Sequence, residues 1–404
     1  MLFRLFSNLK FQNINHTMNK LILSLGLIAI FTFNVKGEEV KFQSIGFDEA
    51  INLARKENKM VYIDCMTEWC GWCKVMDKNT FTNDEVATML NDKFIALKID
   101  MEKGYGVNLA MKYHISSFPT TIIINSAGEL IYKQSGYQDA KQFSSTLTSV
   151  LNGEGQMKYP GISTKIDISY PEFYKQRFKN EKTKIKPDEK AADKFLATQK
   201  DLLNEISWSI ILTMDVNEKH EEYFITYMAK YRELYGNEVD NKMENIIYSR
   251  TEKAVKEKNE TKFNEVIALI DKKFSVEQAE QMKLNGKLEF YLETGRYKEF
   301  SKIMIEHLEK TEYNNAQMIN GYAWTLYEKC DDKEVLLNSI DWVEKAFKYN
   351  ADYPILDTYA ALLFKTGQKD KALSAAKKAI AVGEEKKEDV SSTKELLQKI
   401  EAMK

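Results

Sequence analysis

Cys70 and Cys73, in the run Trp69-Cys70-Gly71-Trp72-Cys73-Lys74, are the residues whose type and spacing most directly suggest chemistry. A thiolate is the form of cysteine that attacks a disulfide, and its formation is favoured at a helix N-terminus, where unpaired N–H groups and the helix dipole stabilise an anion. The surrounding sequence supplies such a terminus. Met60 to Met66 is a short, mostly apolar run that predicts a buried strand, and Val75, Met76 and Lys78 continue a helical segment after the cysteines. Cys70 is then the attacking thiolate. Cys73, about one helical turn further on, is placed to resolve a mixed disulfide. The alternative is half of a zinc site, which would need four ligands, usually from two such pairs. There is no second pair, and the four histidines (16, 114, 220 and 307) are scattered, so redox chemistry is expected and no metal. The electrons would be carried by the cysteine pair itself, with no separate cofactor.

Two other stretches fit around this pair. Asp64 lies six residues before Cys70 on the predicted strand, where its carboxylate could sit under the cysteines and relay a proton. Further on, Ser117-Phe118-Pro119-Thr120-Thr121 precedes the apolar run Ile122 to Ile124, and a turn follows at Ser126-Ala127-Gly128. A proline just before a strand is a candidate cis peptide. Phe118 and Pro119 would form the loop that lays a substrate strand against the sulfurs, with Thr120 beside them and Trp69 and Trp72 as an apolar rim.

These features together make residues 39 to about 152 resemble the thioredoxin superfamily. The closest branch carries W-C-G-W-C-K followed by a T-F…V…L motif, which here reads Thr80-Phe81, Val86 and Leu90. The stretch is also similar to the C-terminal domain of periplasmic thiol–disulfide interchange proteins. The resemblance implies a thioredoxin-like α/β domain acting on protein or peptide disulfides and thiols. It implies disulfide reduction as the direction, and therefore an external electron donor. The sequence departs from familiar thioredoxins in three ways. Trp72 replaces the usual proline between the cysteines, and no proline follows Cys73 in the helix. Ala96 takes the register of the lysine that thioredoxins place near their buried acid, and Lys98 lies two residues on. Cys65 is adjacent to Asp64 and, by strand alternation, should face the opposite way as a buried inert thiol. No chemistry is assigned to Cys330.

The elements that must position the site follow from periodicity. Phe47, Ala50, Ile51 and Ala54 predict an amphipathic helix over 47–57. A capping box at Thr82-Asn83-Asp84-Glu85 opens a helix to about Leu90. Strands are expected at 94–100, 120–125 and 129–134, with helices at 104–113 and 139–151. Residues 153–187 read as a connector, broken by Gly153, Gly155, Pro160, Gly161, Pro171 and Pro187, and its lysine-rich end reads as a solvated surface. From 188 to 404 the pattern is helical throughout. Asn259, Gly295, Asp331 and Gly367 fall 36 residues apart at turns between helical segments, which resembles a degenerate tetratricopeptide-like array. Such arrays usually present a concave face to protein or peptide.

The first 37 residues differ in character. Arg4, Lys10 and Lys20 precede a 13-residue apolar run, Leu21 to Phe33, and small residues near Gly37 suggest a cut before Glu38. That is the pattern of a secretory signal peptide. The run is shorter than the roughly 20 residues of a spanning helix, so no stable membrane insertion is expected after cleavage. The mature chain would keep 54 basic and 60 acidic residues, a net charge of −6, which argues against nucleic acid as a partner. Four cysteines in 404 residues do not make a disulfide scaffold. The sequence therefore predicts an exported, periplasmic or secreted, thiol–disulfide oxidoreductase whose helical repeats bind a protein partner. The alternative is a repeat-based adaptor, chaperone-like, that uses the first domain for docking.

Overall fold

A computed structural model of the chain describes residues 38–178 and 188–403; the expected signal peptide at 1–37 lies outside the described residues, as does the 179–187 part of the lysine-rich run. Strands β1 (Met60–Met66), β2 (Phe94–Asp100), β3 (Thr120–Ile124) and β4 (Leu130–Ser135) form one sheet in the order β2-β1-β3-β4. β1 runs parallel to β2 and antiparallel to β3, and β3 pairs antiparallel with β4. The apolar run of β1 reflects its place inside the sheet, where both of its faces are covered.

Alternation along the strands separates two cores. On one face Ile63, Leu97 and Ile122 pack with α1 (Phe47–Glu57) through Phe47, Ala50, Ile51 and Ala54. Leu109 and Ala110 of α4 (Gly106–Lys112) join the same core. On the other face Tyr62, Ala96 and Ile123 pack with Met76 of α2 (Gly71–Asn79), with Val86 and Leu90 of α3 (Asp84–Lys93), and with Phe143 and Leu147 of α5 (Ala140–Leu151). The α3 cap differs from the expected box. Asn83, not Thr82, is the N-cap and accepts from the N–H groups of Glu85 and Val86. Thr82 instead donates its hydroxyl to the Lys78 carbonyl at 2.6 Å, closing the end of α2.

Beyond α5 the described residues are helical: α6 (Glu172–Gln176), α7 (Glu189–Thr198), α8 (Glu205–Thr213), α9 (Glu218–Tyr235), α10 (Glu238–Lys256), then eight more from Glu260–Lys273 to Ser391–Glu401. Asn259, Gly295, Asp331 and Gly367 each fall between two successive helices. Gly295 and Gly367 have φ of 78° and 81°, the left-handed backbone that glycine adopts without strain.

Residues 153–178, expected as part of a connector, are packed against the core. Tyr159, Ile162, Tyr170 and Tyr174 are buried in the same core as α1 and α4, and that core continues through Trp208, Tyr231 and Tyr235 of the helical region. The Tyr174 hydroxyl donates to the Met111 carbonyl at 2.9 Å. Aromatic side chains hold this segment down where glycine and proline deny it a regular element. Gly161 donates its N–H to the Leu234 carbonyl, and a Cβ there would sit 2.4 Å from the fully buried Tyr235 ring. Gly161→Ala should therefore lower the urea midpoint, by about 1–3 kcal/mol of stability. An unchanged midpoint would mean the ring can yield.

Buried ion pairs cross the same junction. Lys112 bonds Glu205 at 2.6 Å. His114 lies between Glu238 at 3.0 Å and the Ser209 hydroxyl at 2.8 Å, and Lys133 also pairs with Glu238. Burial alone would raise the Glu238 pKa, but Lys133 and His114 outweigh it and hold the carboxyl at about 2.

Candidate active site

The site is built where β1 hands over to α2. Cys70 is the N-cap of α2, with extended backbone, and its sulfur accepts the Cys73 N–H at 3.0 Å. The first turn of the helix thus aims a backbone donor at the Cys70 sulfur, an arrangement that favours a thiolate there. Cys73 lies one turn in and is joined to Cys70 by a disulfide. In this oxidised form both cysteines are buried, at 3% and 2% exposure. The exposed groups are the flanking indoles, Trp69 at 58% and Trp72 at 62%.

The rim is larger than the sequence indicated. Trp69 meets Phe118 edge-on at 5.8 Å, and its indole N–H donates to Glu102 at 3.1 Å. Trp72 lies against Tyr137 at 5.5 Å. Tyr137 was not singled out from sequence; its only local signal is its position just after Gly136, where β4 has ended. The Phe118–Pro119 bond is cis, and the Pro119 carbonyl accepts the Gly136 N–H at 2.8 Å. This bond fixes the loop against the end of β4. Thr120 turns inward: it is buried, and its hydroxyl bonds the Ser117 carbonyl at 2.7 Å and the Ser135 hydroxyl at 2.9 Å. Its side chain braces the loop and does not face outward.

Asp64 is buried at 2% exposure on β1. The expectation that its lysine partner is missing does not hold. The parallel register places Asp64 opposite Lys98, whose ammonium lies 3.3 Å from the Asp64 carboxylate and also pairs with Asp77. Lys98 is held over the rings of Phe42 and Phe81, at 5.5 and 5.7 Å. Burial raises the Asp64 pKa, Lys98 pulls it back, and the balance stands at about 6. A group at that value can give or take a proton near neutrality. Cys65 is fully buried in the α1 core, on the face away from Asp64, and burial raises its pKa. Cys330 is a buried C-cap in the helical region.

Residues 31–153 match a family model described as "Thioredox_DsbH: Protein of unknown function, DUF255". The N-terminal part of the chain belongs to the thioredoxin superfamily. An all-helical region follows its thioredoxin-like domain. Thiol:disulfide interchange protein DsbD of Yersinia pestis is 27% identical over 123 residues, 28% of this chain and 21% of that protein. Human spermatogenesis-associated protein 20 is 36% identical over 55 residues, 14% of this chain and 7% of that protein. The chain thus spans about a fifth or less of the length of these curated relatives. A solution structure from Bacteroides thetaiotaomicron, named as a disulphide-isomerase, is 38% identical, covering 29% of this chain and 98% of that one at a TM-score of 0.28.

Proposed function

We propose that the protein is an exported thiol–disulfide oxidoreductase that reduces protein disulfides, with its helical region recruiting a partner or substrate. The observation that carries the reading is Cys70 as the N-cap of α2, its sulfur accepting the Cys73 N–H, with Cys73 within bonding reach. In the reduced protein the Cys70 thiolate attacks one sulfur of a substrate disulfide, forming a mixed disulfide and expelling the other sulfur as a thiolate that takes up a proton. Cys73 then loses its proton and attacks Cys70, so the second substrate sulfur leaves as a thiol and the Cys70–Cys73 disulfide remains. Two electrons pass from the pair to the substrate, and an external dithiol donor must restore them. Asp64, at about 6, is the base proposed to accept the Cys73 proton. Trp69, Trp72, Phe118 and Tyr137 would bear on the apolar residues around the substrate cysteine.

Export is supported by the apolar run Leu21 to Phe33, and among the described residues no helix is long and apolar enough to cross a membrane. The direction of exchange is tested by equilibrating the Cys70/Cys73 couple against a glutathione buffer. A potential near about −270 mV supports reduction, whereas one near about −120 mV would make the protein an oxidant. Insulin reduction that survives in a Cys70→Ser/Cys73→Ser protein would sink the enzyme reading and leave the adaptor.

A further inference from the structure

A cleft of about 650 Å³ runs along the junction of the thioredoxin-like domain with α8 and α10. One end is lined by Ser116 and Ser117, immediately before the Phe118–Pro119 loop, and by Ser135, which is bonded to Thr120. The cleft therefore begins beside the loop assigned to substrate and extends over α8 and α10. Its size is that of a site for a few residues or a small ligand.

The cleft carries a cation that the protein does not neutralise directly. Lys242 of α10 lines it and is buried, at 7% exposure. Among the described residues no carboxylate lies within ion-pair distance of its ammonium, and its hydrogen bond goes to the Met214 carbonyl at 3.2 Å. An ammonium has three donors, and burying one without a counter-charge is unfavourable. Burial pushes the Lys242 pKa down. Arg177 lines the same cleft and is exposed. Of the facing acids, Glu238 is taken up by Lys133 and His114, Glu221 is paired with Arg250, and Asp215 and Glu221 act on Lys242 from beyond ion-pair distance. Asn241 and Asn245, one turn apart on α10, add exposed amides that can both donate to and accept from a peptide backbone.

We propose that this cleft receives an acidic segment of the disulfide-bearing polypeptide whose cysteine lies on the Phe118–Pro119 loop, an inference that rests on the oxidoreductase reading. A polypeptide is favoured over a free anion because the cleft starts beside the substrate loop and offers backbone-matching amides beside the two cations. The occupant's carboxylate would complete the coordination of Lys242.

The test is fluorescence anisotropy with the oxidised full chain and two labelled peptides, one rich in aspartate and the other with asparagine in place of each aspartate. The wild type should bind the aspartate peptide about tenfold more tightly, the scale of one charge-assisted contact. Lys242→Met, which keeps the apolar stem, should remove most of that preference, and Arg177→Gln, at an exposed position that cannot disturb the core, should weaken it. Equal binding of the two peptides by the wild type would overturn the proposal. So would a preference that survives Lys242→Met, since Lys242 would then serve only the last carbonyls of α8. Reduction of uncharged hydroxyethyl disulfide by the wild type reports on the oxidoreductase reading separately, because it needs no cleft.

Discussion

Cys73→Ser should accumulate covalent complexes with substrate proteins while losing turnover by about 10³-fold or more, the scale set by removing one member of a catalytic unit. Attack by Cys70 needs only its own thiolate, which the first turn of α2 stabilises through the Cys73 N–H. Release of the complex needs the second sulfur, which serine does not supply. Cys70→Ser should lose turnover equally and trap almost nothing. The same asymmetry should appear in the reduced wild type, where iodoacetamide near pH 6 should label Cys70 before Cys73. Exposure does not produce this order, since both residues are buried in the disulfide form. Position along the helix does, because Cys70 caps it and Cys73 lies inside it. Complexes trapped through Cys73, or equal labelling, would reverse the assigned roles.

Asp64→Asn should stabilise the oxidised protein at pH 8 and leave it unchanged near pH 3.5. The carboxyl stands at about 6 in the folded protein against an ordinary value of 3.8, raised by burial and partly offset by Lys98. A raised pKa means that the folded state holds the proton more tightly than the unfolded chain. Stability from this group is fully present below 3.8 and is lost as pH rises through 6, so the ionised carboxylate is a cost at pH 8. The shift corresponds to at most about 3 kcal/mol. Lys98 keeps its pairing with Asp77 and is partly exposed, so the substitution does not strand a buried charge. Urea unfolding at the two pH values checks the stability difference. Turnover provides the second readout: with no carboxylate to take the Cys73 proton, resolution at pH 7 should slow, and added base should partly restore it. Stabilisation without slowing would make Asp64 a buried acid with no part in proton transfer.

Within the site, some features were legible one segment at a time and others were not. The strands at 60–66 and 94–100 and the helix at 47–57 have the predicted bounds, because apolar periodicity and turn residues act over a few neighbours. The cysteine pair was legible for the same reason, since strand, turn and helix lie within about 20 residues. The Lys98 partner was misjudged because it depends on how two strands 34 residues apart align. In the parallel register Lys98, not Ala96, is opposite Asp64. Tyr137 joined the rim only once the end of β4 was packed beside α2 and the proline loop.

The sequence by itself determined the local features of the candidate site and the repeat: a cysteine pair at a helix start, an acid on the preceding strand, a proline loop, and helices that turn at 36-residue intervals. Each of these is written in consecutive residues whose conformational preferences agree. The tertiary structure alone decided which of these residues meet. It placed Lys98 on Asp64, buried both sulfurs, and packed Tyr159, Tyr170 and Tyr174 of a glycine- and proline-broken segment into the core. It also brought Lys242 into one cleft with Ser116 and Ser117, more than 100 residues away in sequence. Such pairings depend on burial and charge balance between distant segments, and no local pattern encodes them.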